Sequence, residues 1–307
     1  MLHTDLDTPE PGPGEVLIHV RANSLNFRDF IVAHGKYPVP AKPCVIPLSD
    51  GAGDVVAVGR NVTAIKVGDR VTGAVFPDWI SGSLTQEIFQ RSLGGPMDGM
   101  LAEYVVLPER AVIPFPAHLS YEEAATLPDA AVTAWHALVE SGRIRAGQTV
   151  LLLGTGGVCL FALQFAKLHS ATVIQTSSSE EKLQQARAMG ADHLINYNDT
   201  PDWDEEVLRI TGGRGVDIVV EVGGAQTLEP FHKIGTVWGP CGVDRTDFRL
   251  RENRSPAIDD PFHTPAWHSC RFCRHVPCDE SRHCGYRVTS SNRARVYFRT
   301  CHLCLCL

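Results

Sequence analysis

The fold is decided by the stretch LLLGTGGV at residues 151–158. Its leucine run is typical of a buried strand, and the glycines that follow allow a tight turn into a helix. Such a turn directs backbone N–H groups and a helix N-terminus at one point, which suits the pyrophosphate of a dinucleotide. The usual G-x-G-x-x-G spacing would place a third glycine at position 159, where this chain has Cys159. An ordinary glycine turn between a strand and a helix is the alternative interpretation.

Strands and helices alternate around this turn. The sequence predicts strands at residues 149–153, 172–176, 193–195 and 216–222, and helices at residues 158–168, 180–189 and 203–210. Alternation of this kind implies a parallel sheet that is covered by helices. The chain therefore carries an α/β unit over residues 121–235.

The residues before this unit follow another pattern. Apolar and polar residues alternate over 14–23, and short valine-rich runs punctuated by glycine follow over 44–75, with a further strand at 101–107. Many short strands with glycine turns predict a compact, barrel-like β domain over residues 1–120. A capping box from Ser120 to Glu123 then opens an alanine-rich helical stretch, which Pro128 is expected to divide into two helices.

The end of the second strand of the α/β unit bears on cofactor choice. An NAD-specific site typically offers an acidic residue there, but this chain has Ser177, Ser178 and Ser179, followed by Glu180 and Lys182. Hydroxyls with a nearby cation suit a 2′-phosphate, so NADPH is favoured over NADH. The alternative is that Ser179 only caps the next helix and that Lys182 is a solvated charge.

Bulk properties exclude several classes of partner. A formal net charge of −7 over 307 residues gives no basic footprint for nucleic acid or an anionic membrane. The apolar stretch at residues 149–166 reads as a strand, a turn and a buried helix rather than a membrane span. The acidic, proline-rich start lacks a signal pattern, so we expect a cytoplasmic protein.

Six motifs occur in order and at consistent spacing. They are NSLNFRD at 23–29, SDGAG at 49–53, VGDR at 67–70, LPDAAVTAW at 127–135, GTGGV at 154–158 and GADHLINY at 190–197. Over roughly residues 10–235 the chain resembles the zinc-independent, quinone oxidoreductase-like branch of the medium-chain dehydrogenase/reductase superfamily. This resemblance implies a GroES-like β-barrel domain followed by a doubly wound Rossmann domain, with the cofactor between them. It also implies a small-molecule substrate and the possibility of a homodimer.

The resemblance also implies roles for individual residues. Asn26 and Thr133 would lie near the nicotinamide and its ribose, and Gly223 would pass close to the nicotinamide half. The remaining cofactor-binding candidates are Gly154, Gly156, Gly157 and Val158 for the pyrophosphate, with Ser177, Ser178, Lys182 and Tyr197 for the 2′-phosphate region. Tyr37 and Trp79 are candidate pocket walls, although aromatic core residues are the more common case.

The same resemblance indicates that no metal is used. Zinc-dependent relatives place Cys, His and Cys where this chain has Asn26, Ser49 and Asp129, which are poor zinc ligands. The stretch at residues 76–99, which corresponds to their structural-zinc loop, contains no cysteine. Asp129 also departs from the branch, which usually has cysteine there, and it is either catalytic or a tolerated change.

The implied chemistry is hydride delivery from NADPH to a quinone or an α,β-unsaturated carbonyl, with hydrogen bonds stabilising the enolate oxygen. An alcohol dehydrogenase is the enzymatic alternative. A nicotinamide-binding protein without turnover is the non-enzymatic one. No residue is an evident general acid.

Residues 236–307 break the pattern. They contain eleven arginines, no lysine, eight cysteines and five histidines, without a sustained period of 2 or 3.6. We expect an aberrant or truncated end of the Rossmann domain, as out-of-frame translation would produce. The pairs Cys270/Cys273 and Cys301/Cys304 leave open a zinc module, and a genuine extension is the third possibility. An incomplete sheet would leave the strand at 216–222 on an exposed edge, with marginal stability and weak activity.

Overall fold

The computed structural model describes residues 6–222 and the backbone of residues 235–238. Within this part of the chain the strands form two sheets, one antiparallel and one parallel. The described residues from Thr8 onward belong to one compact unit. Most of the tail at 236–307, together with its candidate zinc module, lies outside the described residues.

The antiparallel sheet comes first in the chain. Its strands are β1 (Glu15–Ser24), β2 (Asp50–Val58), β3 (Arg70–Gly73), β4 (Tyr104–Pro108) and β5 (Val112–Pro114). Their order in the sheet is β4-β1-β2-β3-β5. Alternate residues of β1, such as Val16 and Ile18, are fully buried in the core of this sheet, as the sequence pattern predicts. Gly53 is needed where β2 crosses β1, because a Cβ there would lie 2.2 Å from the His19 carbonyl oxygen.

Two short helices belong to the same region. They are α1 (Phe27–Ala33), which follows β1 directly, and α2 (Gln86–Phe89). The carboxylate of Asp29 accepts a hydrogen bond from the backbone N–H of Asn26 at 2.8 Å, which closes the start of α1. The junction between β1 and α1 therefore holds Asn26 in a defined position.

The helical stretch between the two sheets begins as predicted. The Ser120 hydroxyl accepts from the Glu123 N–H at 3.1 Å, and the Glu123 carboxylate accepts from the Ser120 N–H at 2.7 Å, so the capping box is present. It opens α3 (Tyr121–Ala125).

The predicted division at Pro128 is wrong in detail. Instead of two separate helices, wide π-helical turns at Leu127–Ala131 and His136–Ser141 flank α4 (Val132–Trp135). Proline has no N–H to donate, and a π turn shifts the hydrogen-bond register so that the helical path continues past it. Asp129 lies inside the first π turn.

The parallel sheet forms the centre of the second half. Its strands are β6 (Thr149–Leu153), β7 (Thr172–Ser177), β8 (His193–Asn196), β9 (Val216–Val220) and β10 (Gly235–Trp238), in the order β10-β9-β6-β7-β8. The helices between the first four of these strands are α5 (Gly157–Leu168), α6 (Glu180–Ala188) and α7 (Trp203–Ile210). The alternating elements predicted from the sequence are confirmed, with bounds that differ by two residues or fewer.

Both faces of β6 are buried. Val150 and Leu152 pack into one hydrophobic cluster with α5, whereas Leu151 and Leu153 pack into another with α7. A parallel strand that is covered on both sides carries a continuous apolar run, which explains the leucines of the opening motif.

The prediction that β9 ends the sheet is wrong. Residues 235–238 form β10, which pairs in parallel with β9, Gly235 lying opposite Val216 and Trp238 opposite Val220. This pairing gives hydrogen-bond partners to the backbone groups along the edge of β9, which was predicted to be exposed. Four residues are too few to show a period in the sequence.

Among the described residues, no helix is both long and apolar enough to cross a membrane. The apolar stretch at 149–166 is divided between β6 and α5, as predicted.

We predict that Leu151→Ala lowers the free energy of unfolding by about 2–5 kcal/mol, because Leu151 is fully buried and the substitution leaves a cavity. Chemical denaturation of the purified chain measures this loss. Leu168→Ala is the matched control, since Leu168 is 72% exposed and its truncation is expected to change stability by less than about 0.5 kcal/mol. Equal losses for the two variants would contradict the assigned core.

Candidate functional site

The glycine turn joins β6 to α5. Gly154 has a φ of +95°, which side chains rarely tolerate, and Gly156 is the extended residue that precedes the helix. A Cβ added to either glycine would have no atom within 4 Å, so open space lies in front of the turn. The first N–H groups of α5, which begins with Gly157 and Val158, have no acceptor within a helix. The turn can therefore receive an anionic group such as a pyrophosphate.

Cys159 stands where the fingerprint would have its third glycine. Its thiol is fully buried and donates a hydrogen bond to the Leu153 carbonyl at 3.2 Å. Burial raises the pKa of the Cys159 thiol to about 12, and Glu221 adds to the rise. The side chain is therefore a neutral packing residue that ties α5 to β6, not a nucleophile.

Side chains from β7 hold the turn in place. The fully buried Gln175 donates its amide N–H to the Gly154 carbonyl, and the Thr176 hydroxyl accepts from the Gly154 N–H at 3.3 Å. The Thr155 and Ser177 hydroxyls share a hydrogen bond of 3.2 Å. Gln175 and Thr155 could not be assigned to the site from the sequence, because their hydrogen-bond partners lie in another part of the chain.

The residues predicted to bind a 2′-phosphate divide into two groups. Ser177 is buried, and its hydroxyl also accepts from the Ser179 N–H at 3.2 Å, so it shapes the loop from within. Ser178 and Lys182 are exposed, and Tyr197 is 41% exposed. Ser179 does cap α6, accepting from the Lys182 N–H at 3.4 Å, which leaves the exposed side chains available for a ligand.

Asn198 is a further member that the sequence analysis missed. Its amide donates to the Ser178 carbonyl at 3.2 Å and so ties the loop after β8 to the loop after β7. Gly223, which was predicted to approach the nicotinamide, lies outside the described residues.

A second polar cluster forms where β1, β2 and the first π turn meet. The Asn26 amide donates to Asp50 Oδ2 at 2.8 Å, and the Ser49 hydroxyl donates to Asp50 Oδ1 at 3.3 Å. The Thr133 hydroxyl donates to Asp129 Oδ1 at 3.4 Å. The structure thus gathers both predicted catalytic residues, Asn26 and Thr133, around two carboxyl groups.

All three carboxyl groups of this cluster, those of Asp29, Asp50 and Asp129, have a raised pKa. Burial raises the pKa of Asp50 well above its ordinary value of 3.8, and the neighbouring Asp129 raises it further. Burial also raises the pKa of Asp29 and of Asp129, while the Arg28 guanidinium opposes both rises. Asp29 and Asp50 were quoted in motifs but not assigned to the site, because their burial depends on tertiary packing.

An aromatic surface lies beside the cluster. Tyr37 stacks on Phe89, which stacks on Phe76, and Phe76 meets Trp79 edge to face. Trp79 in turn lies 6.1 Å from the His136 ring. All of these rings are partly exposed, as a pocket wall requires. Whether Tyr37 and Trp79 contact a substrate stays a prediction.

Both halves of the chain are similar to known protein families. A family model described as alcohol dehydrogenase GroES-like domain matches residues 12–117, and one described as zinc-binding dehydrogenase matches residues 157–239. A zinc-type alcohol dehydrogenase-like protein of Schizosaccharomyces pombe is 48% identical over 218 residues, which are 70% of this chain and 63% of that protein. The chain therefore spans less than two thirds of this relative's length.

Solved structures of alcohol dehydrogenases and quinone oxidoreductases are similar to this chain over about three quarters of its length. A putative alcohol dehydrogenase from Sinorhizobium meliloti 1021 superposes with a TM-score of 0.70 at 42% identity, covering 77% of this chain and 72% of that one. The chain belongs to the medium-chain dehydrogenase/reductase family. Another family member, Escherichia coli quinone oxidoreductase complexed with NADPH, has a TM-score of 0.64 at 28% identity, with 76% and 65% covered. The predicted GroES-like and Rossmann architecture is confirmed.

The descriptions of a matching family model and of the yeast relative mention zinc, which raises the question of whether this chain has zinc ligands. At the three ligand positions named above, Asn26 turns its amide N–H toward Asp50 and Ser49 also donates to Asp50, so only Asp129 offers a charged oxygen. Zinc prefers thiolate and imidazole ligands, and this donor set does not fit it. Among the described residues, no three His, Cys, Asp or Glu side chains are grouped to hold a metal ion.

We predict that Asp50→Asn changes how stability depends on pH in this family member. A raised carboxyl pKa means that the folded state binds the proton more tightly, so the contribution of Asp50 to stability is complete below about pH 4 and is lost as pH rises through the folded pKa. The amide cannot ionise, so the variant should show a smaller loss of stability than the wild type as pH rises above about 4 in denaturant titrations.

Asp54→Asn is the matched control, because Asp54 lies on the same strand and its pKa is lowered by Tyr121 and Arg21. Its effect on the pH dependence falls below about pH 4. A pH profile of Asp50→Asn that parallels that of the wild type above pH 5 would show that Asp50 is ionised in the folded protein.

Proposed function

We propose that the chain is an NADPH-dependent, zinc-free oxidoreductase that transfers hydride to a quinone or an α,β-unsaturated carbonyl. The observation that carries this proposal is the pairing of Asn26 and Ser49 with Asp50, which uses two would-be zinc positions for internal hydrogen bonds. Without a Lewis acid, direct hydride addition to an activated acceptor is the simplest family reaction. The NADPH complex of the Escherichia coli quinone oxidoreductase supports the choice of cofactor.

The residues present fit the cofactor. Gly154, Gly156, Gly157 and Val158 would hold the pyrophosphate in the open space before α5. Ser178, Lys182 and Tyr197 would face the 2′-phosphate, with Ser177 and Asn198 fixing the loop that carries them. NADPH supplies a hydride when bound. Asn26 and Thr133 would orient its nicotinamide end, and Gly223 would adjoin it.

The carboxyl groups of the second polar cluster would retain a proton beside the acceptor. Asp129 is held by Thr133 in a π turn and has a raised pKa, so it is a candidate to return a proton to the product after hydride addition. Another carboxyl of the cluster, Asp50, accepts hydrogen bonds from the Asn26 amide and the Ser49 hydroxyl and would act as a support for Asn26.

An alcohol dehydrogenase is the second candidate function. It is favoured by the descriptions of the family model for residues 157–239 and of the yeast relative. Metal analysis of the purified chain distinguishes the two candidates. We expect the zinc content of the chain to be the same in the wild type and in an Asp129→Ala variant, whereas one zinc per chain that is lost in Asp129→Ala would overturn the zinc-free assignment.

NADPH should stabilise the full 307-residue chain. At a concentration one hundred times the Kd, binding is expected to add about 2.7 kcal/mol to the free energy of unfolding, which a thermal shift detects. A saturable shift with no reduction of any quinone or enone would favour a nicotinamide-binding protein without turnover. No shift at all would contradict the cofactor assignment.

Lys182→Ala should weaken NADPH binding roughly three- to tenfold and leave NADH binding unchanged, because an exposed cation contributes modestly to holding a phosphate. Titration of both cofactors against wild type and variant measures the ratio. Lys66→Ala, which removes an exposed lysine from the first sheet region, is the control and should change neither affinity. An unchanged NADPH to NADH ratio in Lys182→Ala would remove Lys182 from the site.

A further inference from the structure

Asn198 joins the loops that follow two neighbouring parallel strands. The last backbone hydrogen bond between β7 and the end of β8 runs from the Tyr197 N–H to the Ser177 carbonyl at 3.1 Å. One residue further along each loop, the side-chain amide of Asn198 donates to the Ser178 carbonyl at 3.2 Å. The Asn198 side chain therefore adds a cross-link between the two loops beyond the point where the strands end.

The Asn198 amide is itself held in place. Its backbone N–H donates to the side-chain oxygen of Asn196 at 3.2 Å. The Asn196 carbonyl accepts from the N–H groups of Asp199 and Thr200 at 3.1 and 2.9 Å. These hydrogen bonds close a turn directly after β8, so the amide reaches the Ser178 carbonyl from a fixed position.

Ser178 is fixed on both sides, whereas its own side chain is available to a ligand. The buried Ser177 hydroxyl contacts the Thr155 hydroxyl and the Ser179 N–H, each at 3.2 Å. Ser179 caps α6 by accepting from the Lys182 N–H at 3.4 Å. The Ser178 side chain is exposed, and its hydroxyl has no hydrogen-bond partner among the described residues.

The charges beside Ser178 do not prevent an anion from binding there. The Glu180 carboxylate accepts from the Gln184 amide at 2.7 Å, and an i,i+4 pair of this kind lies along the helix surface, away from the loop. Glu181 is exposed, so water and salt screen its charge. Lys182 is also exposed, and its ammonium group makes no ion pair with any described residue.

We infer that Asn198 is a positioning residue that determines the preference for a 2′-phosphorylated nicotinamide cofactor. The inference rests on the proposed function, and it assigns Asn198 no contact with the phosphate. The Asn198 amide holds the Ser178 backbone, so that the Ser178 hydroxyl meets the 2′-phosphate beside the Lys182 ammonium. Without the cross-link this loop must be ordered when the phosphate binds, which weakens the contact. A cofactor with a free 2′-hydroxyl loses nothing.

The test uses two nucleotides that differ only in the 2′-phosphate. Binding of adenosine 2′,5′-bisphosphate and of 5′-AMP to the full 307-residue chain is measured by titration calorimetry, so no turnover is needed. Asn198→Ala should weaken bisphosphate binding roughly three- to tenfold and leave 5′-AMP binding within about twofold, because one hydrogen bond that orders the loop is lost. Gln90→Ala removes an exposed amide in the first half of the chain and should change neither affinity.

A double-mutant cycle separates positioning from a general loss of structure. Ser178→Ala removes the hydroxyl that Asn198 positions, so the two substitutions act on the same contact. Their losses of bisphosphate affinity should therefore be non-additive, and the double variant should bind little more weakly than Ser178→Ala alone. Additive losses overturn the inference. An equal loss of both nucleotides in Asn198→Ala overturns it as well, because that result indicates a structural role only.

Turnover separates this inference from the proposed function. A wild-type chain that prefers the bisphosphate in an Asn198-dependent way but reduces neither quinone nor enone would support the inference and contradict the proposed reaction. A chain that oxidises NADPH with a quinone, yet keeps the wild-type affinity ratio in Asn198→Ala, would support the reaction and overturn the role of Asn198. No bisphosphate preference in the wild type would overturn both the inference and the choice of NADPH.

Discussion

The burial of β6 on both faces is the constraint on which the rest of the second half depends. Each fully buried leucine of this strand contributes roughly 1.5–3 kcal/mol, and it does so only if helices cover both sides of the sheet. Covering both sides requires parallel neighbours joined by crossover helices, so β7 and β9 must run in the same direction as β6. All three strands then end at one edge, where the glycine turn and the loop after Ser177 lie side by side.

In the first half, the corresponding constraint is electrostatic. Three buried carboxyl groups, those of Asp29, Asp50 and Asp129, lie in one cluster, and the Arg28 guanidinium lowers the pKa of two of them, Asp29 and Asp129. The resulting cost is reduced by protonation and by donors such as the Asn26 amide and the Ser49 hydroxyl. In this arrangement the Asn26 amide and the Ser49 hydroxyl are both directed at Asp50.

Much of the architecture follows from local signals in the sequence. Apolar runs, capping residues and glycine turns predicted β6, β7, α5 and α7 nearly to the residue, because those signals act over a few positions. The contacts that organise the site act over longer distances: Arg28 and Ser92 are 64 residues apart, and Asn26 and Asp50 are 24 apart. No periodicity encodes such pairs. Strand β10 was not predicted for another reason. Its conformation depends on pairing with β9 and not on its own four-residue sequence.

The buried thiol of Cys159 can serve as a chemical probe of local opening in this protein. Burial raises the pKa of this thiol to about 12, so the thiol is protonated at pH 7, and the sulfur is enclosed between α5 and β6. Alkylation at this position must therefore wait until the helix separates from the sheet. The rate at which a reagent modifies Cys159 then measures how often the chain opens locally, at the junction between α5 and β6.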